Sequence, residues 1–351
     1  MPTQTASPAP VLEATPAPVS TPAAETPVPT PEPTPAVFTL SFVGDITPDT
    51  VAAFRGSANA YQNVVKADDP GYVFAKTADY FAGDDFTMAN FECVLSDGDL
   101  TAEAKNFTFK APTAYTGLLT AGGVDFVTLG NNHVLDYGKQ GYADTKAALD
   151  GAGVGYAGRD EGTLYVTESG LKIGVYAVSF GTPQQITAGV KALREQGAEF
   201  IIAALHWGDE GSYDINADQT AQGHAAIDAG ADVVYGSHPH TLQPIEQYNG
   251  HYIFYSMGNW SFGGNTDPRD KDTVIAKLTV ERAADGTLSV TGLELTPCAS
   301  SGVKSGNNYQ PVPYEKDGED YTRTLSKLDG SFTGANLTIG YTYGPGELAN
   351  D

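Results

Sequence analysis

From Val37 onward the apolar residues of this chain fall in short runs that alternate with amphipathic stretches. "VFTLSFVGD" is an apolar run that reads as a buried first strand ending at Gly44-Asp45. "GYVFAKTADYF" puts Val73, Phe74, Ala78 and Phe81 at helical spacing and predicts a helix, and "DDFTMANFE" predicts the next strand. The alternation continues with a helix in "TAYTGLLTAGG", a strand in "VDFVTLGNNH", a helix in "GKQGYADTKAALDGAG" and a strand in "KIGVYAVSF". It then gives a helix in "QQITAGVKALREQGA", a strand in "EFIIAALHWG", a helix in "ADQTAQGHAAIDAGA" and a strand in "DVVYGSHPH". Repeated βα units of this kind imply a largely parallel sheet with helices on its faces.

After Gly236 the period changes from helical to alternating. "LQPIEQYNGHYIFYSMGNW" reads as a hairpin turning at Asn249-Gly250, and "DTVIAKLTVERAADGTLSVTGLELTPC" as an antiparallel pair around Asp285-Gly286. These hairpins predict a second sheet. The stretch 299–351 is rich in Gly, Ser and Tyr with weak periodicity and receives no assignment.

Composition changes the picture at the amino terminus. Residues 1–36 hold half of the chain's 22 prolines and no Lys or Arg, so they cannot build a core and read as an extended tether, with one folded domain over 37–298. No stretch is long and apolar enough for a membrane span. A Pro/Thr/Ala spacer suits a protein held off a cell surface, and the expectation is an extracellular location with an upstream signal or lipid anchor. The whole chain carries −24, and the tether contributes Glu13, Glu25 and Glu32, which leaves −21 on the rest. That balance excludes nucleic acid as a partner, because a phosphate backbone needs a basic stripe. Cys93 and Cys298 read either as a disulfide or as two buried thiols, and the oligomeric state is left open.

Five predicted strands carry metal-capable residues at or just past their carboxyl ends: Asp45, Glu92, Asn132 with His133, His206, and His238 with His240. With parallel strands these ends lie along one edge of the sheet, where ligands of α/β proteins bind. Mixed nitrogen and oxygen donors suit one or two Mn, Zn or Fe ions better than Mg or Ca. Each residue has a plainer reading beside this one. Asp45, Asn131 and Asn132 are good turn residues, and histidines on a loop can serve hydrogen bonding alone. His224 in a helix and His251 at a hairpin edge are assigned to ordinary structure.

"FVGD", "ANFE", "TLGNNHVLDYG", "ALHWGDE" and "GSHPH", in that order, resemble the CapA-type poly-γ-glutamate capsule biosynthesis proteins, whose fold is similar to the calcineurin-like metallophosphatases. The resemblance runs from about Leu40 to Trp260. It implies an α/β fold: a two-sheet α-β-β-α sandwich, with parallel βα units followed by antiparallel hairpins. It also implies roles. Glu92 would bridge two ions, with Asn132, His206 and His238 on one, and Asp45 with His240 on the other. His133 would be the general acid, Lys110 would meet an anionic group, and Glu210 would orient His206. Asn131 and Thr47 would flank the ligands, Thr47 standing where phosphatases carry a histidine, so that the Asp45 ion has one strong ligand fewer. The implied function is capsule polymer biosynthesis or export, acting on an anionic polymer beside membrane-bound synthase subunits. Two alternatives are a metal-dependent phosphoesterase on a small or lipid-linked phosphate, and a non-catalytic polymer-binding module.

Overall fold

The computed structural model describes residues 35–337, with Met1 and the backbone of Tyr341–Thr342 and Leu348–Ala349. The predicted tether therefore lies, but for Met1 and its last two residues, outside the described residues. The first half of the chain runs β1 (Ala36–Thr47), α1 (Tyr61–Val64), α2 (Ala78–Phe81), β2 (Phe86–Phe91), β3 (Val94–Leu95), β4 (Lys110–Ala111), α3 (Thr116–Ala121), β5 (Phe126–Thr128) and α4 (Gly138–Ala152). Next come β6 (Gly155–Ala157), β7 (Glu161–Val166), β8 (Lys172–Ser179), α5 (Pro183–Glu195), β9 (Phe200–His206), α6 (Ala217–Asp228) and β10 (Val233–Ser237). The last part holds β11 (Ile245–Tyr248), β12 (His251–Phe254), β13 (Asn259–Phe262), β14 (Asp272–Arg282), β15 (Leu288–Ala299), β16 (Val312–Pro313) and α7 (Glu319–Leu328).

The parallel strands are divided between two sheets, which corrects the expectation of a single parallel sheet. One has the order β16-β15-β14-β1-β2-β5-β6 with β13 alongside β1, and the other β11-β12-β10-β9-β8-β7. Each hairpin extends a different sheet: the Asn249-Gly250 turn adds β11 and β12 beside β10, and the Asp285-Gly286 turn adds β14 and β15 beside β1. The reason is burial. β1, β2 and β9 are buried on both faces over most of their length, so each sheet is covered on both sides. The two sheets cover each other's inner faces with Phe42, Met88, Val175, Ile202, Tyr235 and Leu278. Outside the first sheet, α3 and α4 pack Leu118 and Leu149 against Phe91 and Val127. Outside the second, α5 and α6 pack Val190 and Ile227 against Ile201 and Val234. The result is the α-β-β-α sandwich. Capping boxes at Thr182 with Gln185 and at Asn216 with Gln219 set the starts of α5 and α6.

Two local expectations change. Of "GYVFAKTADYF" only Ala78–Phe81 is helical, and the rest is turns, because Phe74 is held by Phe81 and Trp260 rather than by a helical stripe. The domain also continues past Cys298. β16 pairs with β15, and α7 lays Leu325 and Leu328 on the core between the sheets. Lys327 anchors that helix from a buried position between Asp270 and Asp272, at 2.6 and 2.7 Å. Cys93 and Cys298 are separate buried thiols. No helix among the described residues is long and apolar enough to cross a membrane.

Strand ends from both sheets meet at one edge, where Tyr235 Oη of β10 donates to Val43 O of β1 at 2.7 Å. Close approach there depends on two glycines. A Cβ on Gly44 would lie 2.0 Å from Gly258 O, and one on Gly236 would lie 2.1 Å from Tyr255 O, so both let the 255–258 segment cross.

Candidate metal centre

Glu92 follows the last residue of β2 and is fully buried, yet neither carboxylate oxygen accepts a hydrogen bond among the described residues. A buried carboxylate without donors is unfavourable by several kcal/mol, about 3–5 where such a charge has been stranded by mutation. Burial pushes its carboxyl well above the ordinary value; His240 opposes this, while Asp45, Glu210 and Asp136 add to it. Around it stand imidazoles. Its Oε1 lies 3.5 Å from His206 Nε2 and 4.0 Å from His133 Nε2.

His206 ends β9, and its ring is held from two sides, Nδ1 by Ser237 Oγ at 2.9 Å and Nε2 by Asn132 Oδ1 at 3.0 Å. His238 and His240 leave β10 on a turn with φ of 99° and 57°, a left-handed conformation that non-glycine residues adopt at a cost of about 1–3 kcal/mol each. That strain aims both rings inward. His238 packs 4.6 Å from the ring of His206, and its Nδ1 has no hydrogen-bond partner among the described residues. Burial holds both of these imidazoles neutral: His206 lies well below the usual value, and His238 is lowered to about 3, with His240 and His133 adding to the effect. A metal ligand must be a neutral imidazole with a free lone pair; His238 Nδ1 offers one as it stands, and His206 would offer one on giving up its contact with Asn132 or Ser237.

The Asp45 side differs. Its Oδ1 accepts from Asn90 Nδ2 at 2.8 Å, and Oδ2 faces His240 Nδ1 at 3.1 Å. His240 Nδ1 also faces Asn259 Oδ1 at 3.0 Å. Burial disfavours a charge on His240, but the Asp45 hydrogen bond and the charges of Glu92, Asp45 and Glu210 overcome it and raise the ring to about 10. Without a cation, then, His240 itself neutralises Asp45. Ligand atoms of Glu92, His238 and His240 nevertheless lie within 4.8 Å of one another, close enough for one ion to draw on all three after small shifts. The unpartnered oxygens of Glu92 and the bare Nδ1 of His238 fit a divalent cation there.

His133 is positioned by a residue that the sequence reading missed. Asp136, buried three residues on, takes His133 Nδ1 at 2.8 Å, and Lys105 holds Asp136 at 2.5 Å. This turns His133 Nε2 toward Glu92. The spacing His-x-x-Asp in a loop was the available signal. Asn131 is a tie between strands: Nδ2 donates to Asn90 Oδ1 and Phe91 O, and Oδ1 accepts from His133 N. Thr47 is buried and donates to Glu92 O at 3.3 Å.

Two of the expected residues stand among other contacts. Both His206 nitrogens face partners other than Glu210, so Ser237 and Asn132 orient that ring, while the Glu210 charge is felt at Glu92 and His240. Lys110 sends its ammonium to Gly98 O at 2.6 Å and over the Tyr137 ring, in a separate shallow cavity with Arg55 and Asp97. The loop position that predicted an anion contact says nothing about where a flexible side chain points. His224 stacks on Tyr248 and binds Glu246, and His251 faces Asp232 O, both apart from the centre. Phe180, also missed, stands exposed on a left-handed backbone with its ring 4.9 Å from His238.

The chain is thus a two-sheet α-β-β-α sandwich with an acidic and imidazole cluster at converging strand ends. The chain belongs to the family described as Bacterial capsule synthesis protein PGA_cap, which matches residues 39–263. It is 27% identical over 321 residues to PGA biosynthesis protein CapA of Bacillus subtilis (strain 168), covering 85% of this chain and 82% of that one. It is also 27% identical over 290 residues to Capsule biosynthesis protein CapA of Bacillus anthracis, covering 73% and 67%. Among solved structures, Haemophilus influenzae NAD nucleotidase aligns with a TM-score of 0.41 and 13% identity, over 85% of this chain and 63% of that one.

Proposed function

We propose that the protein serves poly-γ-glutamate capsule biosynthesis or export as a metal-dependent hydrolase-type protein acting on an anionic polymer. The observation that carries this is the buried, donor-free carboxylate of Glu92 beside the neutral rings of His206 and His238, in a chain whose relatives are named for that polymer. The mixed donors favour Mn, Zn or Fe. Glu92, His206, His238 and Asn132 would hold one ion; a second, on Asp45 and His240, would first have to displace the proton their pair shares. When bound, such an ion lowers the pKa of a water and stabilises an oxyanion. The chain supplies the rest. Ser237 and Asn132 fix the His206 ring, and Asp136 keeps His133 Nε2 toward the site, where it can give a proton to a leaving nitrogen or oxygen. General-acid help of that kind is worth about 10²–10⁴ in rate.

The test is to incubate the metal-loaded protein with poly-γ-glutamate and follow chain length on a gel, beside His133→Asn. The expected result is shortening that slows at least about a hundredfold in the variant at unchanged metal content. Intact polymer with Mn, Zn and Fe alike overturns the hydrolytic reading, and faster turnover of simple phosphoesters would move the substrate class to phosphates. The same reading puts the protein outside the cell, held by its Pro-rich leader near membrane-bound synthase subunits. Recovery of the native protein in a cytosolic fraction would refute that location.

A further inference from the structure

Outside the ligand cluster, a cleft of about 580 Å³ opens between the 268–271 loop, the 299–304 segment, α7 and the side chain of Tyr213. Five basic side chains line it, Arg269, Lys271, Lys304, Arg323 and Lys327, against two acids, Asp270 and Asp320. The chain as a whole has 19 Lys and Arg to 43 Asp and Glu, so this cleft reverses the sign of its surroundings. Positive charge gathered in a concave, low-dielectric wall focuses the field and draws in anions.

The five cations differ in what they can offer. Lys271 donates to the carbonyls of Val303, Lys304 and Gly306 and contributes its charge from behind the wall, whereas Lys327 is buried against Asp270 and Asp272, which neutralise it. Arg323 clamps Asp272 through Nε and Nη2 at 2.9 and 2.6 Å and pairs with Asp320 through Nη1, so its charge is compensated too. Arg269 and Lys304 are exposed and form no ion pair among the described residues, so their donors face solvent. Between them lie apolar patches, Val303 at 41% exposure and the Val312-Pro313 pair. Cations set among apolar patches match a strand whose carboxylates alternate with methylene groups better than they match a compact anion. The cleft is also tied to the metal centre. Gly211 N donates to Pro239 O at 2.8 Å, and Thr241 Oγ1 donates to Ser212 O at 2.8 Å, which fastens the loop bearing Tyr213 to the His238–His240 turn.

We propose that this cleft binds a segment of a carboxylate-bearing polyamide chain, holding the polymer while another part of it lies at the Glu92 centre. The proposal rests on the polyglutamate reading of function and adds a site to it. Its test uses the full chain and fluorescently labelled poly-γ-glutamate, read by anisotropy at low and at 0.5 M salt. Arg269→Glu combined with Lys304→Glu changes only exposed groups, and thermal melting with elemental analysis checks that fold and metal content are kept. The expected outcome is affinity about tenfold weaker or more in the double variant, with a shallower salt dependence than wild type. Unchanged affinity in the double variant, with loss in His238→Ala, would overturn the cleft and leave the proposed function standing. Absence of binding by the wild type would overturn both. Displacement of the polymer by inorganic polyphosphate at lower concentration than by unlabelled polyglutamate would overturn the carboxylate assignment.

Discussion

Replacing Glu92 by Gln should make the metal-free protein more stable and abolish its response to divalent cations. In the folded chain the carboxylate is fully buried with no hydrogen-bond donor among the described residues, and burial raises its pKa well above the unfolded value of about 4.3. A raised acid contributes fully below the unfolded value, and that contribution is lost as pH rises through the folded one, so at pH 7.5 the charge is a liability. An uncompensated buried charge costs about 3–5 kcal/mol, with His240 relieving part of it, whereas a poorly paired neutral amide of the same shape costs about 1–3. The substitution should therefore gain roughly 2 kcal/mol, or about 3 °C in Tm for a domain of this size. A cation at about a thousandfold its Kd adds about 4 kcal/mol to the wild type and nothing to the variant. Differential scanning calorimetry after chelation, then with Mn or Zn restored, reads both numbers. The order of the two melting temperatures should reverse on adding metal. A variant less stable than wild type without metal, or an equal response of both proteins to the cation, would refute the reasoning.

His238 gives a prediction at acid pH. Its folded value of about 3 against about 6.5 unfolded means a contribution present above pH 6.5 and lost as pH falls toward 3, on the order of 5 kcal/mol in the metal-free protein. His238→Asn should flatten that part of the profile when urea midpoints are taken at pH 7, 5 and 4. Lys327→Met should cost about 3–5 kcal/mol in urea unfolding, since it leaves buried Asp272 with one cation, Arg323, beside the Tyr314 hydroxyl, and Asp270 with only the neutral donors Tyr213 Oη and Asp272 N; a loss under about 1 kcal/mol would mean α7 is peripheral. Cys93 and Cys298, buried and with thiols pushed up by that burial, should ignore a thiol reagent in the native protein and give two equivalents in denaturant. A disulfide found by mass spectrometry would contradict this.

Much of the centre was legible because its ligands sit where strands end, and strand ends leave local marks. Gly44-Asp45, Phe91-Glu92 and Gly236-Ser237-His238 each close a run of buried apolar residues, so the chemistry could be located one run at a time. The two hairpins were equally local, with Gly250 and Gly286 both at φ 86°. Partners were harder. Asp136 left only a three-residue spacing, and Ser237, Asn90 and Asn259 look like any polar residues until the fold sets them against His206, Asp45 and His240. α7 did carry an apolar stripe of Tyr321, Leu325 and Leu328, but within a Gly- and Ser-rich segment it did not stand out.

By itself the sequence determined the order of strands and helices, the ligand types at the strand ends and the strongly acidic balance, since these depend on short-range periodicity and composition. Only the tertiary structure decided that the parallel strands divide between the two sheets and that each hairpin extends a different one, because pairing follows which apolar faces can cover each other across the chain. It alone decided the protonation pattern as well: Glu92 buried without donors, His206 and His238 held neutral, and His240 charged against Asp45. Those states arise from desolvation and from charges up to 195 positions apart, and no local window of sequence contains them.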